Sequence, residues 1–195
     1  MNLLAHAVLA SPGDESLVGN LIADFVRPAD VDQLSPGMRA GVMQHRRVDA
    51  FTDRHPDVQR SIRRVSARWG WFSGILIDMY YDHVLSVEWS AHVGGSRRAF
   101  IDGVHAVLLA SASDMPAAAG EVMRGFVRDD RLASYADPAG LADALARLSD
   151  RIATRIPTRA VRLEQAMPEL QAAHAELRAD FGRFWPDLRR HAAAT

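Results

Sequence analysis

Helix signals, rather than strand signals, recur along this 195-residue chain. No segment alternates strictly between apolar and polar residues, as a half-buried strand would, and runs of β-branched residues are short. Residues 35–36 (Ser-Pro) place a capping hydroxyl before a proline at a first helical position, and residues 137–138 (Asp-Pro) do so with a carboxylate. Residues 94–96 (Gly-Gly-Ser) are typical of the end of one helix and the cap of the next. The sequence therefore predicts an all-α protein.

The predicted helices form one compact, irregular bundle. A chain of this length suits a single domain with a sizeable core, and no internal repeat or low-complexity linker divides it. We therefore expect a single domain over residues 1–195. The predicted helices cover residues 2–10, 14–26, 36–53, 57–67, 73–90, 97–111, 116–128, 138–155 and 168–191.

Composition excludes several classes of function. The formal net charge of -1 gives no bulk field that would attract nucleic acid or an anionic membrane. The absence of cysteine excludes disulfides, thiolate metal sites and cysteine nucleophiles. No stretch approaches the roughly 18 consecutive apolar residues of a membrane helix. The apolar start, "MNLLAHAVLAS", lacks the positive region of a signal peptide and is interrupted by His6, so we expect a cytoplasmic protein.

The stretch "HRRVDAFTDRHP", residues 45–56, is rich in titratable side chains. His45, Asp49 and Asp53 follow one another at four-residue spacing, so on a helix they form one continuous stripe. Taken alone, such a stripe is more often a solvated face with local ion pairs. The alternative is that the stripe contributes to a catalytic site.

A second segment, "GILIDMYYDHVLSVEW" at 74–89, places carboxylates on a strongly apolar helix. Asp78 and Asp82 lie four residues apart on its core-facing side, and His83 follows directly. A buried carboxylate is costly without compensation, and two neighbouring carboxylates also repel each other. A shared metal ion or an arginine would resolve this conflict.

Single polar residues on two further apolar segments extend the pattern. His6 lies in "NLLAHAVLA" and Asp24 in "GNLIADF", and each alone is more often a hydrogen-bonded core residue. Together, these histidines and aspartates occupy four predicted helices, and a helical bundle can direct such groups to one interior point. Imidazole and carboxylate ligands suit manganese, magnesium, iron or zinc. Such a metal promotes hydrolysis by lowering the pKa of bound water and clamping a phosphoryl oxygen.

In combination, these segments resemble the bacterial acyl carrier protein phosphodiesterases, also called acyl carrier protein hydrolases. The combination of "HRR-D--TD" with "D---DH-L" is specific, whereas each piece alone is not. The resemblance extends from residue 1 to about residue 188, with only a loose match between about 91 and 165, through "RLASYADP". The segments that carry it are "MNLLAHAVLA", "LVGNLIADFVR", "GVMQHRRVDAFTDRHP", "ILIDMYYDHVLSVEW" and "ELRADFGRFWPDL".

The resemblance implies an all-α fold related to the HD-domain metal phosphohydrolases, with a divalent metal that is typically manganese. It implies removal of 4′-phosphopantetheine from holo-acyl carrier protein by hydrolysis of the phosphodiester to its serine. One departure is the order of the doublet, Asp82 then His83, where the HD pattern has histidine before aspartate. The matching positions are Asn2, His6, Asp24, His45, Arg46, Arg47, Asp49, Asp53, Asp78, Asp82 and His83.

We assign three roles to these positions. Asn2 and Asp53 are expected to contact the substrate. Arg46 or Arg47 is expected to clamp the phosphate, because a guanidinium is planar, permanently charged and bidentate. The other expected catalytic residues are His45, Asp49 and His83. The expected metal ligands are His6, Asp24, Asp78 and Asp82.

The segment "QRSIRRVSAR" offers a surface for the acidic, helical carrier protein. Arg60 and Arg64 share one helix face at four-residue spacing, and a basic face can steer an acidic partner. The alternative is an ordinary solvated face.

Two other functions fit the same residues. One is an HD-type phosphohydrolase that acts on a nucleotide or another small phosphoester. The other is a helical adaptor that binds carrier protein without turnover.

Overall fold

The computed structural model of the protein describes residues 1–156, 158 and 160–194, and these residues contain helices and no strand. Within this part of the chain, 3₁₀ turns at Ala23–Phe25, Pro28–Gln33, Gly70–Phe72 and Leu163–Ala166 connect some of the helices. The all-α prediction is therefore confirmed. The α-helices are α1 (Leu3–Leu9), α2 (Asp14–Ile22), α3 (Pro36–Thr52), α4 (Pro56–Trp69), α5 (Ser73–Val87), α6 (Trp89–His92), α7 (Arg97–Ala110), α8 (Ala117–Arg128), α9 (Arg131–Ser134), α10 (Pro138–Arg155), α11 (Met167–Ala172) and α12 (His174–Ala193).

The predicted capping residues begin the helices as expected. The Ser35 hydroxyl accepts a hydrogen bond from the Met38 amide at 3.3 Å, and the Asp137 carboxylate accepts one from the Ala139 amide at 3.0 Å. Between α6 and α7, residues 94–95 adopt positive φ angles of 87° and 66°, which glycine tolerates best. These local signals are readable from sequence because each acts within one turn of helix.

The prediction differs from the structure inside one predicted helix, at the end of another and at two short helices. The predicted helix 168–191 is divided at Ala173, where the backbone leaves the helical region between α11 and α12. The predicted helix 14–26 ends as an α-helix at Ile22 and continues as a 3₁₀ turn that carries Asp24. The four-residue helices α6 and α9 were not predicted, because a single turn is too short to show hydrophobic periodicity.

Helix α5 lies at the centre of the bundle and packs against α1, α4, α10 and α12. Tyr80 and Tyr81 on α5 are buried, and Tyr81 contacts the rings of Phe181 and Phe184 on α12. One hydrophobic core runs through the described residues from Met1 to Ala192. Every helix in this part of the chain is too short or too polar to cross a lipid bilayer.

The most extensive helix pair is α2 with α3, which meet at two glycines. A Cβ atom on Gly19 would lie 2.7 Å from the Met38 Cα, and one on Gly41 would lie 2.7 Å from the Asn20 amide nitrogen and overlap the Ser16 carbonyl oxygen. The two backbones can approach this closely only because neither position has a side chain. The contact brings α2 against the face of α3 that carries His45.

Candidate functional site

Three of the predicted residues converge at the junction of α1 and α3. His6 comes from α1, and His45 and Asp49 come from successive turns of α3. One ligand atom from each lies within 4.8 Å of the others, which makes them a candidate metal-binding group. The two imidazole rings are stacked, with centroids 3.7 Å apart and an interplanar angle of 13°.

Asp49 links the two rings through separate carboxylate oxygens. Its Oδ1 lies 3.1 Å from His6 Nε2, and its Oδ2 lies 3.1 Å from His45 Nε2. His45 donates its Nδ1–H to the Asn20 carbonyl oxygen at 2.8 Å, so in a neutral ring Nε2 carries a lone pair. That buried Nε2 has no hydrogen-bond partner among the described residues, although Asp24 Oδ1 also lies 3.4 Å away.

The electrostatics of the cluster are strongly perturbed. Burial lowers the pKa of His6 to about 4, so this ring is neutral. Burial also disfavours a charged His45, but its contacts with Asp24 and Asp49 outweigh burial and raise its pKa to about 9. Burial opposes ionisation of Asp49, yet its contacts with His45 and with the Met1 ammonium hold its pKa well below the usual range. Asp49 is therefore an ionised carboxylate.

A positive charge already lies beside this carboxylate. The Met1 ammonium is 3.1 Å from Asp49 Oδ1 and 3.4 Å from Asp78 Oδ1, and the two carboxylates outweigh burial and raise its pKa to about 10. The site thus accommodates a cation. His6 is already neutral, and His45 would give up its Nε2 proton on binding a metal. Imidazole and carboxylate are the donor set that suits Mn²⁺, Fe²⁺ or Zn²⁺. His6, His45 and Asp49 fit a divalent metal, with Asp24 and Asp78 nearby.

The structure does not bring Asp82 and His83 into this cluster. Both Asp82 carboxylate oxygens accept backbone hydrogen bonds from the first turn of α1, from the Leu4 amide at 2.7 Å and the Ala5 amide at 3.0 Å. Burial raises the pKa of Asp82 to about 7. His83 donates its Nδ1–H to the Tyr135 carbonyl at 2.8 Å. Asp82 therefore anchors α1, and His83 anchors the chain beside α9.

Asp53 also lies outside the cluster. It follows the last residue of α3, is exposed, and its amide donates to the Asp49 carbonyl at 2.9 Å. Its proposed contact with substrate remains a prediction.

A cavity of about 770 Å³ opens beside the cluster, with most of its carboxylates on one wall and its arginines on the other. One wall carries Asp24, Asp49 and Asp78, and Asn2 lies next to them. The other wall is formed by α8, α9 and α10. Its polar lining residues are Glu121, Arg128, Arg131, Tyr135, Arg147 and Arg151, and its apolar ones include Val122, Phe126, Ala144 and Leu148.

The arginines of this second wall were not among the predicted site residues. Arg147 and Arg151 lie four residues apart on α10, and neither has a carboxylate within ion-pair distance in the described part of the chain. Arg46 and Arg47 do not line the cavity. Arg46 is exposed, and the buried Nε of Arg47 has no hydrogen-bond partner among the described residues. The only sequence signal near this wall was the loosely matching "RLASYADP".

The predicted docking arginines have structural partners. Asp180 on α12 is fully buried, and it accepts hydrogen bonds from Arg60 at 2.9 Å, Arg64 at 3.4 Å and Ser61 at 3.0 Å. Arg183 also pairs with Asp180. These contacts join α4 to α12. The half-exposed Arg60 and Arg64 thus have a structural role, and carrier docking through them remains a prediction.

Comparison with known proteins identifies one family. The family model described as acyl carrier protein phosphodiesterase matches residues 1–188. An acyl carrier protein phosphodiesterase from Photorhabdus laumondii is 35% identical over 193 residues, which are 98% of this chain and 95% of the relative. One from Pectobacterium atrosepticum is 30% identical over 189 residues, 96% and 95% of the two chains. No solved structure matches the chain, so the relationship to HD-domain folds remains a prediction.

Proposed function

Because the chain belongs to the acyl carrier protein phosphodiesterase family, we propose that it removes 4′-phosphopantetheine from holo-acyl carrier protein in a metal-dependent hydrolysis. The observation that carries this proposal is the pairing of a candidate cation site with an arginine wall across one cavity. A phosphodiester between the two walls would place its charged oxygens against positive charge on both sides. We also propose a cytoplasmic location, as the sequence analysis predicted.

The metal ligands in this proposal are His6, His45 and Asp49, with Asp24 as a further carboxylate. When bound, a divalent metal supplies Lewis-acid chemistry, which withdraws charge from a phosphoryl oxygen and lowers the pKa of water. Manganese is our choice among the metals that this donor set suits. Asp78 then has a supporting electrostatic role, and Asp82 is a structural residue rather than a ligand.

In the reaction, water attacks phosphorus and the bond from phosphorus to the serine oxygen breaks. The oxygen of the water leaves with 4′-phosphopantetheine, and the serine oxygen of the carrier takes up a proton. The sequence-based choice of proton donor was His45 or His83. His83 does not line the cavity, and His45 belongs to the cation site. We therefore propose that the serine oxygen takes its proton from a solvent-accessible group of the cavity and not from either histidine.

The reaction is tested by the mass of holo-acyl carrier protein before and after incubation with the protein and Mn²⁺. We expect the carrier to lose the mass of the prosthetic group. In H₂¹⁸O the label should appear in the released 4′-phosphopantetheine and not in the carrier serine. A carrier whose mass is unchanged with manganese, magnesium, iron and zinc would exclude the proposal. Turnover of a nucleotide or generic diester alone would then indicate a small-phosphoester hydrolase, and carrier binding without turnover an adaptor.

We further propose that Arg151, with Arg147, contacts the phosphate in place of Arg46 and Arg47. A charge-assisted hydrogen bond contributes about 1.5–3 kcal/mol, so Arg151→Gln should lower kcat/KM by about 10- to 100-fold. Arg155→Gln, one turn further along α10 and outside the cavity lining, is the matched control and should leave kcat/KM nearly unchanged. If Arg46→Gln reduces kcat/KM and Arg151→Gln does not, the sequence-based assignment is right and this one is wrong.

A further inference from the structure

We infer that Gln44 is a positioning residue that acts through Asn20 to hold the proton of His6 on Nδ1, which leaves Nε2 free to bind a cation. Gln44 and Asn20 are both buried and neither contacts the cavity. The inference rests on the metal site of the proposed function. Two backbone groups, the Ser11 amide and the Leu9 carbonyl, have fixed donor and acceptor roles and orient the Gln44 amide.

The orientation of the Gln44 amide is set by the turn after α1. The Ser11 amide N–H donates to Gln44 Oε1 at 2.9 Å, and Gln44 Nε2 donates to the Leu9 carbonyl at 2.9 Å. A backbone N–H can only donate and a carbonyl can only accept. Rotating the Gln44 amide by 180° would therefore break both hydrogen bonds, so Oε1 must point toward Ser11.

The orientation of Gln44 then sets that of Asn20. The same Gln44 Oε1 faces the Asn20 amide at 3.0 Å, and because Oε1 is an acceptor, the Asn20 atom must be Nδ2. Asn20 Oδ1 consequently points at His6 Nδ1, 3.0 Å away. An amide oxygen only accepts, so His6 carries its proton on Nδ1.

The opposite side of the His6 ring, at Nε2, faces two oxygen atoms. In this tautomer Nε2 presents a lone pair, and its neighbours are Asp49 Oδ1 at 3.1 Å and the Met1 carbonyl oxygen at 3.2 Å. The His6 ring thus offers no proton to either oxygen, and the Met1 ammonium, 3.1 Å from Asp49 Oδ1, offsets the repulsion at that oxygen only. A cation among these atoms removes this repulsion, and a neutral Nε2 donor is the form that metals bind.

The tautomer can be measured on the metal-free protein, independently of turnover. Long-range ¹H–¹⁵N spectra with labelled histidine should show a protonated Nδ1 and an unprotonated Nε2 for His6. A wild-type His6 with its proton on Nε2 would overturn the inference. If the tautomer is as stated but the carrier is not hydrolysed, the proposed function fails and this inference stands.

Two variants test the hydrogen-bond relay, which runs from Gln44 through Asn20 to His6. Asn20→Leu and Gln44→Met should give a mixture of His6 tautomers and weaken Mn²⁺ binding, measured by calorimetry, by about 10- to 100-fold. In Asn20→Leu, His45 is an internal control, because its Nδ1–H donates to the backbone carbonyl of Asn20 and should keep its tautomer. Thr52→Val removes a different buried polar group of α3, a hydroxyl that bonds only to the Val48 carbonyl among the described residues, and should bind Mn²⁺ normally. Folded relay variants with wild-type Mn²⁺ affinity would refute the inference.

Discussion

Asp49→Asn should lower turnover of holo-acyl carrier protein by at least about 10³-fold and abolish stoichiometric Mn²⁺ binding. The expected loss corresponds to about 4 kcal/mol of transition-state stabilisation, which is within the contribution of a catalytic metal. The reason is that, among the described residues, Asp49 is the carboxylate that contacts the Nε2 atoms of both histidines, one through each oxygen. An asparagine lacks the negative charge and would direct its amide N–H groups at one of the imidazole nitrogens.

The control for this variant is Asp143→Asn on the exposed face of α10, which removes the same charge away from the cavity. It should retain full activity and Mn²⁺ binding. Metal content by mass spectrometry and helicity by circular dichroism separate a lost ligand from a lost fold. An Asp49→Asn protein that binds Mn²⁺ and turns over like the wild type would remove the metal cluster from the mechanism.

Gly41→Ala should destabilise the protein by about 3 kcal/mol or prevent folding. The added methyl group would overlap the Ser16 carbonyl and crowd the Asn20 amide, and both are backbone atoms that cannot rotate away. Relief requires α2 and α3 to move apart, which also moves Asn20 away from His45. Urea denaturation should show the lower midpoint, and Mn²⁺ affinity should fall with it.

Gly103→Ala on α7 is the matched substitution, because a Cβ there meets no atom within 4 Å. It should stabilise the protein by about 0.4–1 kcal/mol, since alanine has less backbone entropy to lose on folding. Equal effects of the two substitutions would mean that helix propensity, and not the close crossing of α2 and α3, determines the response.

The sequence predicts most of the fold because helix signals are local. Caps such as Ser35 and Asp137 act within a single turn and were predicted correctly. The candidate metal cluster was partly predictable for a different reason: a histidine such as His6 on an apolar helix needs a polar partner, so its position alone indicates a buried polar group. Which partner it finds depends on tertiary structure. Asp82 is also a polar residue on an apolar helix, but its partners are backbone amides, and it anchors α1.

The arginine wall could not be predicted from local patterns. Arg147 and Arg151 lie on α10, about 100 residues from the metal cluster, at a spacing that is typical of an ordinary solvated helix face. Only the packing of α10 against α5 and of α8 against α9 gives them a common cavity with Asp24 and Asp49. Conversely, Arg46 and Arg47 are close in sequence to His45, but residues that adjoin on a helix point in different directions.

The basic side chains that line the cavity are all arginines, and this limits how the site can respond to pH. A guanidinium keeps its proton throughout the range in which proteins are folded. The phenol on the same wall, Tyr135, does not titrate in that range either, because burial raises its pKa to about 12. The arginines and the phenol of the second wall therefore keep a constant charge. Any inflection in a pH–rate profile between mildly acidic and mildly basic solution reports on the imidazole and carboxylate groups of the site, its terminal ammonium, the metal or the substrate.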